Sequence, residues 1–175
     1  KKGARAKDFE LALQWLMDAG LVHKVCQVSK PEAPLTFYEE SDAFKLFLLD
    51  CGLLGAMNMT DATEAMLTDN IFEEYNGAVT EQLVLQDLKC VPNLPVYYYT
   101  KPNSQQEIDF VIDIKNCAVP IEAKAGENLQ AKSFKQFILE NKSPKAIKTS
   151  LKPYKSNEVI DNVPLYALYC YLTRG

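Results

Sequence analysis

The spacing of hydrophobic and polar positions changes along this chain, and each change marks an element. Residues 4–19 repeat at helical spacing: Phe9, Leu13 and Leu16 recur beside Ala12, and Gly20 ends the run. Leu21–Val28 alternates like a strand, and Ser29–Pro34 is a run of turn formers. Leu35–Tyr38 and Ala43–Asp50 read as further strands, and Gly55–Asp69 as helical or loop segments. Helical spacing returns from Thr68 to Cys90, where Phe72, Tyr75, Val79 and Leu83 form one stripe flanked by Ala78, Leu85 and Leu88. Strand patterns follow at Val96–Thr100, at Glu107–Ile114 and at Val119–Lys124. Leu129–Glu140 reads as a helix with Phe134, Phe137 and Ile138 inward, and Lys145–Ser150 as a strand. Leu165–Leu172 is apolar throughout and fits strand or helix equally. Helix, three strands, helix, strand predicts an α/β fold, a sheet with helices packed on it. The helix and strands before residue 60 have the layout of a winged-helix module lacking its first helices. This divides the chain into units 1–60 and 61–175.

Three polar positions in the central strands carry candidate chemistry. Glu107–Ile114 and Val119–Lys124 are joined by a short polar turn at Lys115–Asn116. A hairpin turning there sets Asp109 opposite Glu122, with Lys124 two residues on and facing the same way. Two carboxylates side by side repel unless a cation neutralises them. Hard oxygen ligands suit Mg²⁺ or Mn²⁺, and an adjacent ammonium steadies a phosphate or orients water. Glu81, one helical turn from Ala78 and Leu85, sits at the border of an apolar face and can complete the ion's shell. The set points to phosphodiester chemistry. A plainer reading of the same residues is a hydrated cross-strand ion network.

Charge is distributed unevenly. Residues 1–114 carry a net −9, residues 115–155 a net +6 and residues 156–175 a net −1. A nucleic acid would therefore meet the lysine-rich 115–155 segment, with Lys132, Lys135 and Lys148 as candidate phosphate contacts. By contrast, Phe37–Glu74 holds nine acids and one lysine, a composition suited to packing rather than to DNA. One histidine and five scattered cysteines without a Cys-x-x-Cys argue against zinc and for mostly buried free thiols. No apolar run reaches the roughly 18 residues of a membrane span, and no secretory signal opens the chain. A cytoplasmic protein without a membrane partner is expected. The opening, without Met and in mid-pattern, reads as a fragment of a longer protein.

Glu81, then Glu107-Ile-Asp-Phe-Val-Ile, then Ile121-Glu-Ala-Lys resembles the PD-(D/E)XK nuclease superfamily, in the Glu…Asp…Glu-x-Lys form of Holliday-junction resolvases. Ile108-Asp109 stands in place of the defining Pro-Asp pair. Glu10–Val25, Phe44–Leu54 and Gly77–Leu88 are similar to the C-terminal part of prokaryotic AAA-type ATPases. There a winged-helix portion precedes a restriction-endonuclease-like domain of uncharacterised function. The resemblance implies a restriction-endonuclease-like mixed sheet flanked by helices after a partial winged-helix module. It implies Asp109, Glu122 and Glu81 as Mg (or Mn) ligands, and Lys124 as the catalytic lysine alongside Asp109 and Glu122. Gln130 or Lys132 falls at an auxiliary polar position. The implied partners are the N-terminal ATPase domain of the same protein, and DNA. No phosphate-binding Gly-x-x-x-x-Gly-Lys loop is present, so ATP hydrolysis is not expected from this chain itself. The alternative is a decayed nuclease fold serving as a non-catalytic protein- or DNA-binding regulatory module.

Overall fold

The computed structural model describes residues 9–58, 72–102, 106–124 and 132–174. In chain order the elements are α1 (Glu10–Asp18), β1 (Val22–Val28), β2 (Glu39–Leu48), α2 (Cys51–Met57), α3 (Phe72–Cys90), β3 (Val96–Thr100), β4 (Glu107–Ile114) and β5 (Cys117–Ala123). Then come α4 (Lys132–Asn141), β6 (Ala146–Ser150), β7 (Lys155–Ser156), β8 (Ile160–Pro164) and α5 (Leu168–Thr173). Among the described residues one mixed sheet runs β2-β1-β3-β4-β5-β6-β8-β7. β1 pairs antiparallel with β2 and parallel with β3, so the N-terminal hairpin continues the central sheet. β3–β4 and β4–β5 are antiparallel, while β5–β6 and β6–β8 are parallel.

Two apolar layers cover the faces. On one, Val84, Leu85 and Leu88 of α3 and Leu168 of α5 pack on Phe110, Ile112 and Ile121. On the other, Phe134, Phe137 and Ile138 of α4 meet Val28, Tyr97, Ile108 and Val111. The mixed α/β sheet flanked by helices is as the sequence predicts.

Several local expectations are corrected. Leu35–Tyr38 is a 3₁₀ turn rather than a strand: Phe37 N–H bonds to Pro34 O, and Leu35 is tucked into the core while Phe37 stays exposed. The inward stripe of α3 is Val84, Leu85 and Leu88, whereas Leu83 and Ala78 are exposed. Gln82 explains the rotation. It is 2% exposed, and its side-chain amide binds both backbone groups of Leu48, accepting from N–H at 3.0 Å and donating to O at 2.7 Å. It thus serves the end of β2 as a strand partner would. α1 buries none of its residues, and Trp15 is exposed. Leu165–Leu172 is helical, a 3₁₀ turn leading into α5. The five cysteines are free thiols, and they are partly or fully exposed rather than buried. Most of Gly55–Asp69 and the start of the Thr68 helix lie outside the described residues, as does Gln130. No helix among the described residues is long and apolar enough to cross a membrane.

Candidate functional site

The β4–β5 hairpin turns where the sequence places it. Lys115 and Asn116 both have positive φ, 52° and 64°, the signature of a type I′ turn whose twist suits a two-residue loop. From there the register runs Ile114↔Cys117 to Phe110↔Ile121. One step further, Asp109 and Glu122 stand opposite each other, but regular pairing has ended. Two residues beyond a closely bonded pair, an antiparallel ladder would hand Ala123 N–H to the Ile108 carbonyl. Asp109 Oδ2 accepts it instead, at 2.7 Å. The other edge of β4 shows why. Tyr97 pairs with Val111 and Tyr99 with Ile108, so Tyr98 faces two residues, Asp109 and Phe110. This bulge frees Asp109 from strict alternation and lets its carboxylate enter the gap between the parting strands.

Val119, Ile121 and Ala123 belong to the layer beneath α3. Period 2 therefore turns Glu122 and Lys124 to the opposite face. Glu122 is 4% exposed, and Lys124 Nζ lies 2.7 Å from its Oε1. Lys148 stands beside Glu122 in the parallel pairing with β6 and is itself buried. Burial pushes the Asp109 carboxyl up to about 7, assisted by the charges of Glu122 and Glu81 and opposed by Ala123 N–H and Lys124. Burial works to lower the pKa of Lys124, but its hydrogen bond to Glu122 and the charges of Glu122, Asp109 and Glu81 outweigh it and raise the value. Lys148 is lowered, first by burial and then by Lys124, Lys135 and Lys152, with Glu122 opposing. Asp109 and Lys124 thus each lie within electrostatic reach of both Glu122 and Glu81. Lys135 is exposed on α4, and the side chain of Lys132 lies outside the described residues.

Two participants escape the sequence reading, Lys45 and Glu107. Lys45 of β2 forms ion pairs with Glu81, at 3.6 Å, and with Glu107. Its ammonium also sits 5.2 Å from the centroid of the Tyr98 ring. Only the strand order β2-β1-β3-β4 brings it here, and that order has no local signature in the sequence.

The family model described as Domain of unknown function (DUF4143) matches residues 76–169. The chain belongs to the DUF4143 family. A second model, Domain of unknown function (DUF8612), matches residues 1–64. No curated protein and no solved structure matches the chain. Glu81, Glu107, Asp109, Glu122 and Lys124 all fall within the DUF4143 segment, whereas Lys45 comes from the DUF8612 match.

The donor chemistry of the DUF4143 segment fits a hard divalent cation. Asp109 and Glu122 present carboxylate oxygens, and the pKa of Asp109 is raised first by burial and then by the charges of Glu122 and Glu81, a cost that a bound cation would offset. Among the described residues no three His, Cys, Asp or Glu side chains form a ready-made ligand cluster. Mg²⁺ needs only one or two carboxylates when waters and substrate phosphate fill its octahedron, so a pair suffices.

The Asp109 shift predicts a pH effect. A carboxyl whose folded pKa lies above its ordinary 3.8 favours the folded state when protonated, so its contribution to stability falls as pH rises from about 4 to about 7. Asp109→Asn keeps an acceptor for Ala123 N–H and removes the charge. With a chelator present, urea unfolding should find it about 2 kcal/mol more stable than wild type at pH 8, after discounting for water contact. At pH 4 the difference should vanish. An unchanged or lower stability at pH 8 would show that the ionised carboxylate costs nothing there.

Proposed function

We propose that this chain is a divalent-cation-dependent DNA phosphodiesterase domain of PD-(D/E)XK type, from the C-terminal part of an AAA-type ATPase. The observation that carries the reading is the Asp109 carboxylate, seated between parting strands beside the Glu122–Lys124 pair. Its raised pKa supports the same reading. Asp109 and Glu122 would hold Mg²⁺ or Mn²⁺, and Glu81, whose carboxylate is engaged by Lys45, is the third ligand that the family resemblance implies. A bound cation of this kind supplies Lewis acidity and lowers the pKa of water. Lys124 keeps its proton at neutral pH because its pKa is raised, so it acts as a positive charge beside the attacked phosphate and not as a base. Lys148, Lys135 and Lys132 lie on the β6 and α4 side, where the backbone of a bound strand would run. The N-terminal ATPase domain of the parent protein is the expected partner, and the 1–60 portion its winged-helix link.

The test is a cleavage assay on branched, single-stranded and double-stranded DNA. Strand scission should require Mg²⁺ or Mn²⁺ and stop in EDTA. A second reading has its own support. Glu122 is already neutralised by Lys124 and Glu81 by Lys45, as in a fold that retains charge without turnover. Salt-dependent DNA binding that persists in Asp109→Ala, with no scission under any metal, would favour that binding or regulatory module.

A further inference from the structure

The lysine that reaches Glu81 is the only cation in an acidic stretch. Phe37–Glu74 carries nine acids and one lysine, and that lysine is Lys45. Its side chain is only 26% exposed, and it extends from β2, opposite Val25 of β1, toward carboxylates of the neighbouring segment. There it meets Glu81 at 3.6 Å, the Glu107 carboxylate, and the face of Tyr98. An ordinary surface ion pair has one partner and adds little stability. Lys45 instead spans α3 and β4 and bridges two carboxylates, one of which, Glu81, is the third ligand that the resemblance assigns to the proposed cation.

We propose that Lys45 is the internal counter-ion of this site, holding Glu81 until a divalent cation displaces it. The proposal rests on the cation reading of Asp109 and Glu122 and adds a competitor to it. A held ammonium opposes a divalent cation twice over, by occupying Glu81 and by repelling the incoming charge. The functional unit is then composite: the DUF8612 match supplies the cation that poises the DUF4143 carboxylates. Any shift of the β1–β2 hairpin alters the charge beside Glu81 and hence metal uptake.

Calorimetric titration of the full chain with Mn²⁺ tests this on wild type, Lys45→Met, Lys45→Arg and Asp109→Asn. Wild type should bind one ion, and Asp109→Asn should lose it. Lys45→Met should bind about tenfold more tightly, the order of effect expected from removing one nearby like charge. Lys45→Arg, which keeps the charge, should stay within about twofold of wild type. Should circular dichroism show Lys45→Met to be unfolded, Lys45→Gln replaces it, with the same expectation. Equal or weaker binding by the uncharged variant, alongside a wild-type ion that is lost in Asp109→Asn, overturns the role of Lys45 alone. If neither wild type nor the uncharged variant takes up Mn²⁺, the cation reading itself has failed and the proposal falls with it.

Discussion

Lys124→Ala is expected, on the proposed phosphodiesterase reading, to lower metal-dependent DNA cleavage by about 10²-fold or more, the effect of removing one preorganised charge from a developing oxyanion. Glu122 is nearly sealed from water, and Lys124 is its 2.7 Å partner. Alanine therefore removes two things at once, the positive charge that the proposal assigns to substrate and the partner of a buried carboxylate. The second loss alone destabilises the fold, by roughly 1–3 kcal/mol, with Lys148 beside Glu122 limiting the damage. Rates must therefore be compared well below each variant's unfolding temperature. Lys124→Arg separates the two roles, because it retains the charge next to Glu122 but changes its shape and reach. Recovery of stability without recovery of rate would assign Lys124 to chemistry. Cleavage by Lys124→Ala within about threefold of wild type would leave Lys124 as a structural partner of Glu122 and nothing more.

How far the sequence discloses this site depends on the range of the interactions involved. The β4–β5 hairpin is legible because its determinants are local: period-2 alternation on either side of a two-residue turn at Lys115–Asn116. Counting outward from that turn brings Asp109 opposite Glu122. The count misses the bulge opposite Tyr98, since an extra residue in a strand shows only against its partner. Polar residues with long-range duties mislead in a similar way. Gln82 carries no sign of its duty in the local pattern: its amide completes the end of β2, and this rotates the apolar stripe of α3 away from Leu83. Lys45 has no partner within its own stretch of sequence, and only the order of strands carries it to Glu81 and Glu107. β8 was hidden for the same reason. Ile-Asp-Asn-Val-Pro lacks the alternation of a strand, and its polar members are tolerated in one because groups outside it satisfy them.

Asp161 is the clearest of those members, and Asp161→Ala should cost about 1–3 kcal/mol at neutral pH, because the Lys145 ammonium it leaves behind can reach water. The carboxylate is 1% exposed in β8. Ser156 Oγ donates to Oδ1 at 2.5 Å, Tyr171 donates its hydroxyl to Oδ2, and the Lys145 ammonium lies 2.5 Å from Oδ2. These groups come from β7, α5 and the approach to β6, so one side chain ties three parts of the sheet's far edge together. Burial acts to raise its pKa, but the hydrogen bonds from Lys145, Ser156 and Tyr171 outweigh it and hold the carboxyl below the ordinary value. The sign is then opposite to that of Asp109. A depressed folded pKa gives stability that is present above about pH 4 and is lost as pH falls through the folded value. Asp161→Ala should therefore differ most from wild type at neutral pH and approach it on acidification. Asp109→Asn should differ most above pH 7. Urea unfolding of both variants from pH 3 to pH 8 measures the two trends together. Parallel curves would show that neither carboxylate is tuned by its surroundings. Opposed curves would separate a carboxylate that its hydrogen bonds stabilise within the fold from one whose charge burial disfavours.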